Sequence, residues 1–70
     1  MENKVSNNLL FVIDVGNTNT VLGLYDNDTL VCSWRIRTER NSTEDEIHVL
    51  ISNLFAKNHI NMENVSKTII

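Results

Sequence analysis

The chain has 70 residues, six Lys and Arg against nine Asp and Glu, a formal charge of −3 and a single cysteine, Cys32. This balance argues against a nucleic-acid surface, and a lone cysteine excludes an internal disulfide, with no Cys and His spacing that suits zinc. The longest apolar stretch is far too short to span a membrane, and the polar, acid-bearing start is unlike a secretory signal, so the chain reads as cytoplasmic.

Residues 1–8 are predicted as a disordered polar extension. Residues 9–13 form a continuous apolar, partly β-branched run, which suits a strand covered on both faces. That strand drives into Asp14, a buried-looking carboxylate that would be costly without a cation or donors to compensate it. In the turn that follows, Gly16 permits positive φ or close backbone approach, Asn17 tolerates unusual dihedrals, and Thr18 and Thr20 offer hydroxyls. Such a loop suits a nucleotide phosphate, with Asp14 placed to hold a hydrated magnesium ion. No Gly-Lys-Ser/Thr follows and no helix begins here, so it is not a Walker loop. An ordinary hairpin turn, with the Asp bonding its own backbone, has the same composition. Gly23 behind the turn, and a strand on either side, favour the functional reading.

Residues 20–25 are the returning strand, and Asp26-Asn27-Asp28 is a strong turn signal. Residues 29–37 alternate, with Leu30, Cys32, Trp34 and Ile36 on one face and Val31, Ser33, Arg35 and Arg37 on the other. Trp34 reads as a packing residue. Arg35 reads as part of a solvated face, with a phosphate or subunit contact as the alternative. Three strands joined by short turns predict an antiparallel meander.

The period then changes. Thr43 and Glu46 make a capping box, and Ile47, Leu50, Ile51, Leu54 and Phe55 follow as one helical stripe for packing on a sheet. Glu44, Asp45 and Glu46 occupy the first turn, where the helix dipole favours acids. His48 and His59 are too far apart to share a metal and read as surface or boundary residues. Asn58-His59-Ile60-Asn61 ends the helix without a glycine, Met62 to Val65 is a short connection, and residues 67–70 begin a new strand that looks cut rather than finished. The crossover helix predicts that this last strand lies parallel to the first. The result is an α/β fold, β-β-β-α-β with a mixed sheet, the first half of a ribonuclease-H-like domain.

Asp14-Val15-Gly16-Asn17-Thr18 followed by Gly23 resembles the first phosphate motif of type III pantothenate kinases, the Bvg accessory factor family of the acetate kinase, sugar kinase, heat-shock ATPase and actin superfamily. Trp34-Arg35-Ile36-Arg37-Thr38 is similar to that family's Trp-Arg-x-x-Thr strand end, and Thr43-Glu44-Asp45-Glu46 to the opening of its first helix. The resemblance covers residues 9–70, and implies that they are the N-terminal part of a truncated actin-like ATPase domain. It further implies ATP-dependent phosphorylation of pantothenate, the first step of coenzyme A biosynthesis. By the same resemblance, Asp14, Val15, Gly16, Asn17, Thr18, Asn19, Thr20 and Val21 would form the ATP site. Asp14 would be the catalytic group that positions magnesium and phosphate, through water. The pantothenate loop, the base and the K+ or NH4+ site of the family would lie beyond residue 70, so the chain carries no acceptor-binding residues and is expected to be inactive alone. The full-length form is expected to be a homodimer that binds ATP and pantothenate, with no nucleic acid or membrane partner. The alternatives are another superfamily kinase or ATPase sharing the Asp-x-Gly hairpin, or a non-catalytic regulatory or binding homologue.

Overall fold

The apolar run at the start of the chain forms β1 (Leu9–Val15), which turns back into β2 (Asn19–Asp26) and then β3 (Thr29–Arg37) in a computed structural model that describes residues 8–70. A helix, α1 (Glu44–Lys57), and a short 3-10 turn over Met62–Asn64 lead to β4 (Val65–Ile69). The strands lie in the order β3-β2-β1-β4; both hairpins are antiparallel and β4 runs parallel to β1. The expected β-β-β-α-β order and mixed sheet are present. The predicted extension over residues 1–8 lies, but for Asn8, outside the described residues. Strand limits differ modestly from expectation: β1 runs on through Asp14 and Val15, β2 begins at Asn19, and β4 starts at Val65 rather than Lys67.

Alternation along β1 and β2 gives the sheet two unlike faces. Leu9, Phe11, Leu22 and Leu24 are buried on the face that meets α1, where Phe55 completes the core. Phe55 makes an edge contact with Phe11 and stacks on Trp34, so Trp34 is the packing residue its sequence position suggested. Burying one such aromatic side chain is worth about 1.5–3 kcal/mol. The opposite face carries Leu10, Val12 and Tyr25 half-buried and Val21 and Leu30 exposed. Strand β1 is therefore covered on one face among the described residues, not on both.

The face assignment of Leu30 is corrected. Leu24 pairs with Cys32 but Tyr25 pairs with Leu30, so Val31 is an extra residue in β3. This bulge turns Leu30 to the face of Tyr25 and leaves it half exposed, while Cys32, Trp34 and Ile36 keep the core side. Gly23 makes room on that second face. A Cβ there would lie 3.2 Å from the Tyr25 ring and 3.7 Å from the Leu30 side chain. Asn27 takes a left-handed φ of 57° in the two-residue β2–β3 turn, a conformation Asn tolerates better than most residues.

Helix α1 starts as its sequence dictates. The Glu46 amide donates to the Thr43 hydroxyl (3.1 Å), and the Thr43 amide donates to the Glu46 carboxylate (2.8 Å), closing the capping box. At the other end the Ile60 amide donates to the Phe55 carbonyl (2.9 Å) and the His59 amide to that of Ala56 (3.1 Å). This is a Schellman ending, with His59 at φ 60° where glycine is usual. The apolar stripe is used unevenly. Phe55 is buried and Ile51 and Leu54 are half-buried, but Ile47 and Leu50 remain exposed. The first half of the helix stands off the sheet over an apolar cleft of about 180 Å³, bordered by Ile13, Val15, Leu22, Ile36, Ile47 and Leu50.

Candidate functional site

The β1–β2 loop occupies residues 16–18, and its closure comes from its own backbone. The Gly16 amide donates to the Asn19 carbonyl at 2.9 Å. A Cβ on Gly16 would stand 2.8 Å from that carbonyl oxygen, closer than Cβ atoms are found. Glycine is required here for space and not for dihedral freedom, since no glycine has positive φ and Asn17 also stays at negative φ. Positive φ is thereby ruled out as the reason for Gly16, and a steric one takes its place; Asn17 adopts no left-handed conformation.

The end of β3 holds the loop from the side. The Thr38 amide donates to the Thr18 carbonyl (3.0 Å), and the Thr38 hydroxyl donates to the Gly16 carbonyl (3.0 Å). The Thr20 hydroxyl lies 2.8 Å from that of Thr38. A hydroxyl has one proton, and that of Thr38 goes to Gly16, so Thr20 donates to Thr38. Thr20 is 8% exposed, and this bond satisfies its hydroxyl. Farther out, Arg40 Nη2 donates to Asn17 Oδ1 at 3.3 Å. Asn17, Thr18, Asn19, Arg37 and Thr38 together line a polar concavity over the loop.

These bonds engage the carbonyls on either side of Asn17, while that of Asn17 itself takes no chain donor among the described residues. The carbonyls of Gly16, Thr18 and Asn19 are engaged within the chain. Among the described residues, no chain acceptor takes the amides of Asn17 and Thr18. Successive free N–H donors in a tight turn favour an anionic ligand.

Asp14 is exposed, contrary to its buried appearance in the sequence. The β1–β4 pairing extends to Val12, two residues before Asp14. Its neighbour across β2 is Val21, also exposed. Val15 lies exposed opposite Thr20 on the core-side face. The sequence-predicted stretch from Asp14 to Val21 is thus one strand end, one loop and one strand start. Thr20 is the exception to its open character, because it serves the scaffold.

Among the described residues, no group of three or more His, Cys, Asp or Glu is gathered to hold a metal ion. A single accessible carboxylate fits magnesium in another way. That ion keeps most of its waters and is held by one or two carboxylates together with substrate phosphates. Among the described residues no helix is long and apolar enough to cross a membrane. Arg35 is exposed on β3, consistent with a solvated strand face.

Sequence reasoning passed over Thr38 and Arg40 as loop residues. Thr38 was visible as the last residue of Trp34-Arg35-Ile36-Arg37-Thr38, but nothing in that string says that it reaches a loop 22 positions earlier.

A mixed β-β-β-α-β sheet with a polar loop in its first hairpin defines the class: a ribonuclease-H-like half-domain of the actin-like ATPase kind. The profile of one family within that class, described as type III pantothenate kinase, matches residues 10–70, and the chain belongs to this family. A protein of Desulfatibacillum aliphaticivorans named type III pantothenate kinase is 58% identical over 62 residues, which are 89% of this chain and 24% of that protein. Proteins with the same name from Brevibacillus brevis (48% over 62 residues, 89% of this chain and 24% of theirs) and Geobacillus kaustophilus (53% over 55 residues, 79% and 20%) are similar in the same way. The chain spans about a quarter of the length of the Desulfatibacillum and Brevibacillus relatives.

Proposed function

We propose that the full-length protein carrying this segment transfers the γ-phosphoryl group of ATP to pantothenate, opening coenzyme A biosynthesis, and that this segment supplies the phosphate-binding half of the ATP site. The observation that carries the reading is the loop whose Gly16 and Thr18 carbonyls are internally engaged while the Asn17 and Thr18 amides stay free, beside an accessible Asp14. Phosphoryl transfer asks a protein chiefly for positioning and for neutralising charge. The two amides and the Thr18 hydroxyl bind phosphate oxygens, and Gly16 lets the loop close tightly enough to present them. Asp14 would hold a hydrated magnesium ion through its waters, and such an ion would supply positive charge against that of the phosphates. Val15, Asn19, Thr20 and Val21 frame the loop. Pantothenate binding, the general base and a monovalent K+ or NH4+ site belong to residues beyond this segment. The working form is a cytoplasmic homodimer.

The test is turnover by the full-length protein, with pantothenate and with sugars as acceptors, beside the Asp14→Asn variant. Substituting Asn keeps the shape and removes the charge. The expected loss with pantothenate is on the order of 10²–10³ in rate, the scale of losing one preorganised electrostatic contact. Near-wild-type turnover by the variant would sink the role of Asp14, and preference for a sugar would reassign the substrate.

A further inference from the structure

Thr38 sits just past β3, and every polar hydrogen it owns is spent on the loop. Its amide engages the Thr18 carbonyl and its hydroxyl the Gly16 carbonyl. The Thr20 hydroxyl, buried beneath, fixes the Thr38 rotamer by donating to it at 2.8 Å. A polyphosphate offers only acceptors, so carbonyl oxygens left free at the loop mouth would repel it. Thr38 engages two of the three carbonyls that are closed off, and the Gly16 amide engages the third, that of Asn19. We propose that Thr38 is a positioning residue that sets the phosphate loop for ATP, an inference that rests on the kinase reading above. It touches no reacting atom. It acts by holding the Gly16 and Thr18 peptides so that their oxygens are withdrawn and the neighbouring amides remain available. Because β3 contributes it, the loop's geometry depends on the third strand as well as on the hairpin that contains it.

The test compares the full-length wild type with Thr38→Val and Thr38→Ser, reading KM for ATP, KM for pantothenate, kcat and melting temperature. Valine keeps the shape and the amide bond but loses both hydroxyl bonds; serine keeps the hydroxyl. The expected result is a rise of roughly tenfold in KM for ATP for Thr38→Val, about what one to two net hydrogen bonds are worth, with KM for pantothenate unchanged. Serine is expected to restore KM for ATP to within about twofold of wild type. A wild-type KM for ATP in Thr38→Val, or equal impairment in both variants, overturns the positioning role and leaves the kinase reading intact. Should the valine variant fail to fold, Thr38→Ala removes the same hydroxyl with a smaller side chain, and an unchanged KM for ATP there overturns the role equally. A wild type that neither binds ATP nor phosphorylates pantothenate overturns the kinase reading itself, and the positioning role with it.

Discussion

Phe55 stands edge-on to Phe11, with ring centroids 5.2 Å apart and an interplanar angle of 83°. Its other flank stacks on Trp34 at 5.6 Å and 25°, so one helical ring links β1 and β3 from above the sheet. No other helix residue is buried. The attachment of α1 to the sheet is accordingly concentrated at one position.

Phe55→Ala is expected to cost about 3–5 kcal/mol, because it leaves a cavity between two rings that cannot collapse onto each other. A domain of this size has a total stability of only a few kcal/mol, so the cooperative urea transition should vanish or move close to zero denaturant. Val49→Ala, on the exposed side of the same helix, should stay within about 0.5 kcal/mol of wild type. Equal effects of the two substitutions would show that the helix is not anchored through Phe55.

Gly16→Ala is expected to weaken ATP binding by the full-length protein strongly while lowering its melting temperature little. The added methyl meets backbone, the Asn19 carbonyl at 2.8 Å, and a peptide group cannot swing aside as a side chain can. The loop must open, and the Gly16–Asn19 bond opens with it. Calorimetric titration with a non-hydrolysable ATP analogue, run beside a thermal melt, separates the two effects. Unchanged affinity with a lowered melting point would make the turn purely structural.

His59→Gly is expected to stabilise the fold by roughly 0.5–1 kcal/mol, since a left-handed residue with a Cβ is strained where glycine is not. Exposure of His59 means that little packing is lost in exchange. Chemical denaturation of the two forms measures the difference, and a destabilised variant would reveal a contact made by the imidazole.

The 70-residue chain by itself is expected to self-associate and to show no pantothenate phosphorylation. Leu30, Val31 and Ile69 are 44–50% exposed on the sheet, and Ile47 and Leu50 are 45% and 39% exposed on the helix. Exposed apolar faces of this kind recruit partners. Sedimentation velocity tests the first expectation and a coupled kinase assay the second. A monodisperse monomer would refute the one, and measurable turnover the other.

The features legible in the sequence are those whose causes are local. The Thr43–Glu46 capping box spans four residues, and the β2–β3 turn announces itself in Asp26-Asn27-Asp28. The parallel β4 follows from a helix between strands. The features that escaped depend on neighbours far along the chain. Alternation in residues 29–37 could not show that Val31 is extra, because pairing with β2 decides it. Asp14 looks buried because an apolar strand precedes it, yet near the end of β1 it stands exposed. The polar turn of Gly16, Asn17 and Thr18 is legible from its composition, whereas the stretch from Asp14 to Val21 is read as an ATP site only through its resemblance to a family motif. Thr38 was not found as their support, because hydrogen bonding across strands leaves no spacing to read.

The stop of α1 has a consequence for how folding can be watched. Nothing in Asn58-His59-Ile60 reverses a chain by local preference alone, and the left-handed turn at His59 works against it. What offsets that cost is Ile60, packed against the core while its amide reaches the Phe55 carbonyl. An isolated peptide of the helix would have no core for Ile60 to enter, and its last turn would unravel instead of turning back. The Ile60 amide is therefore a built-in reporter: its protection from solvent exchange registers the docking of helix on sheet, not helicity.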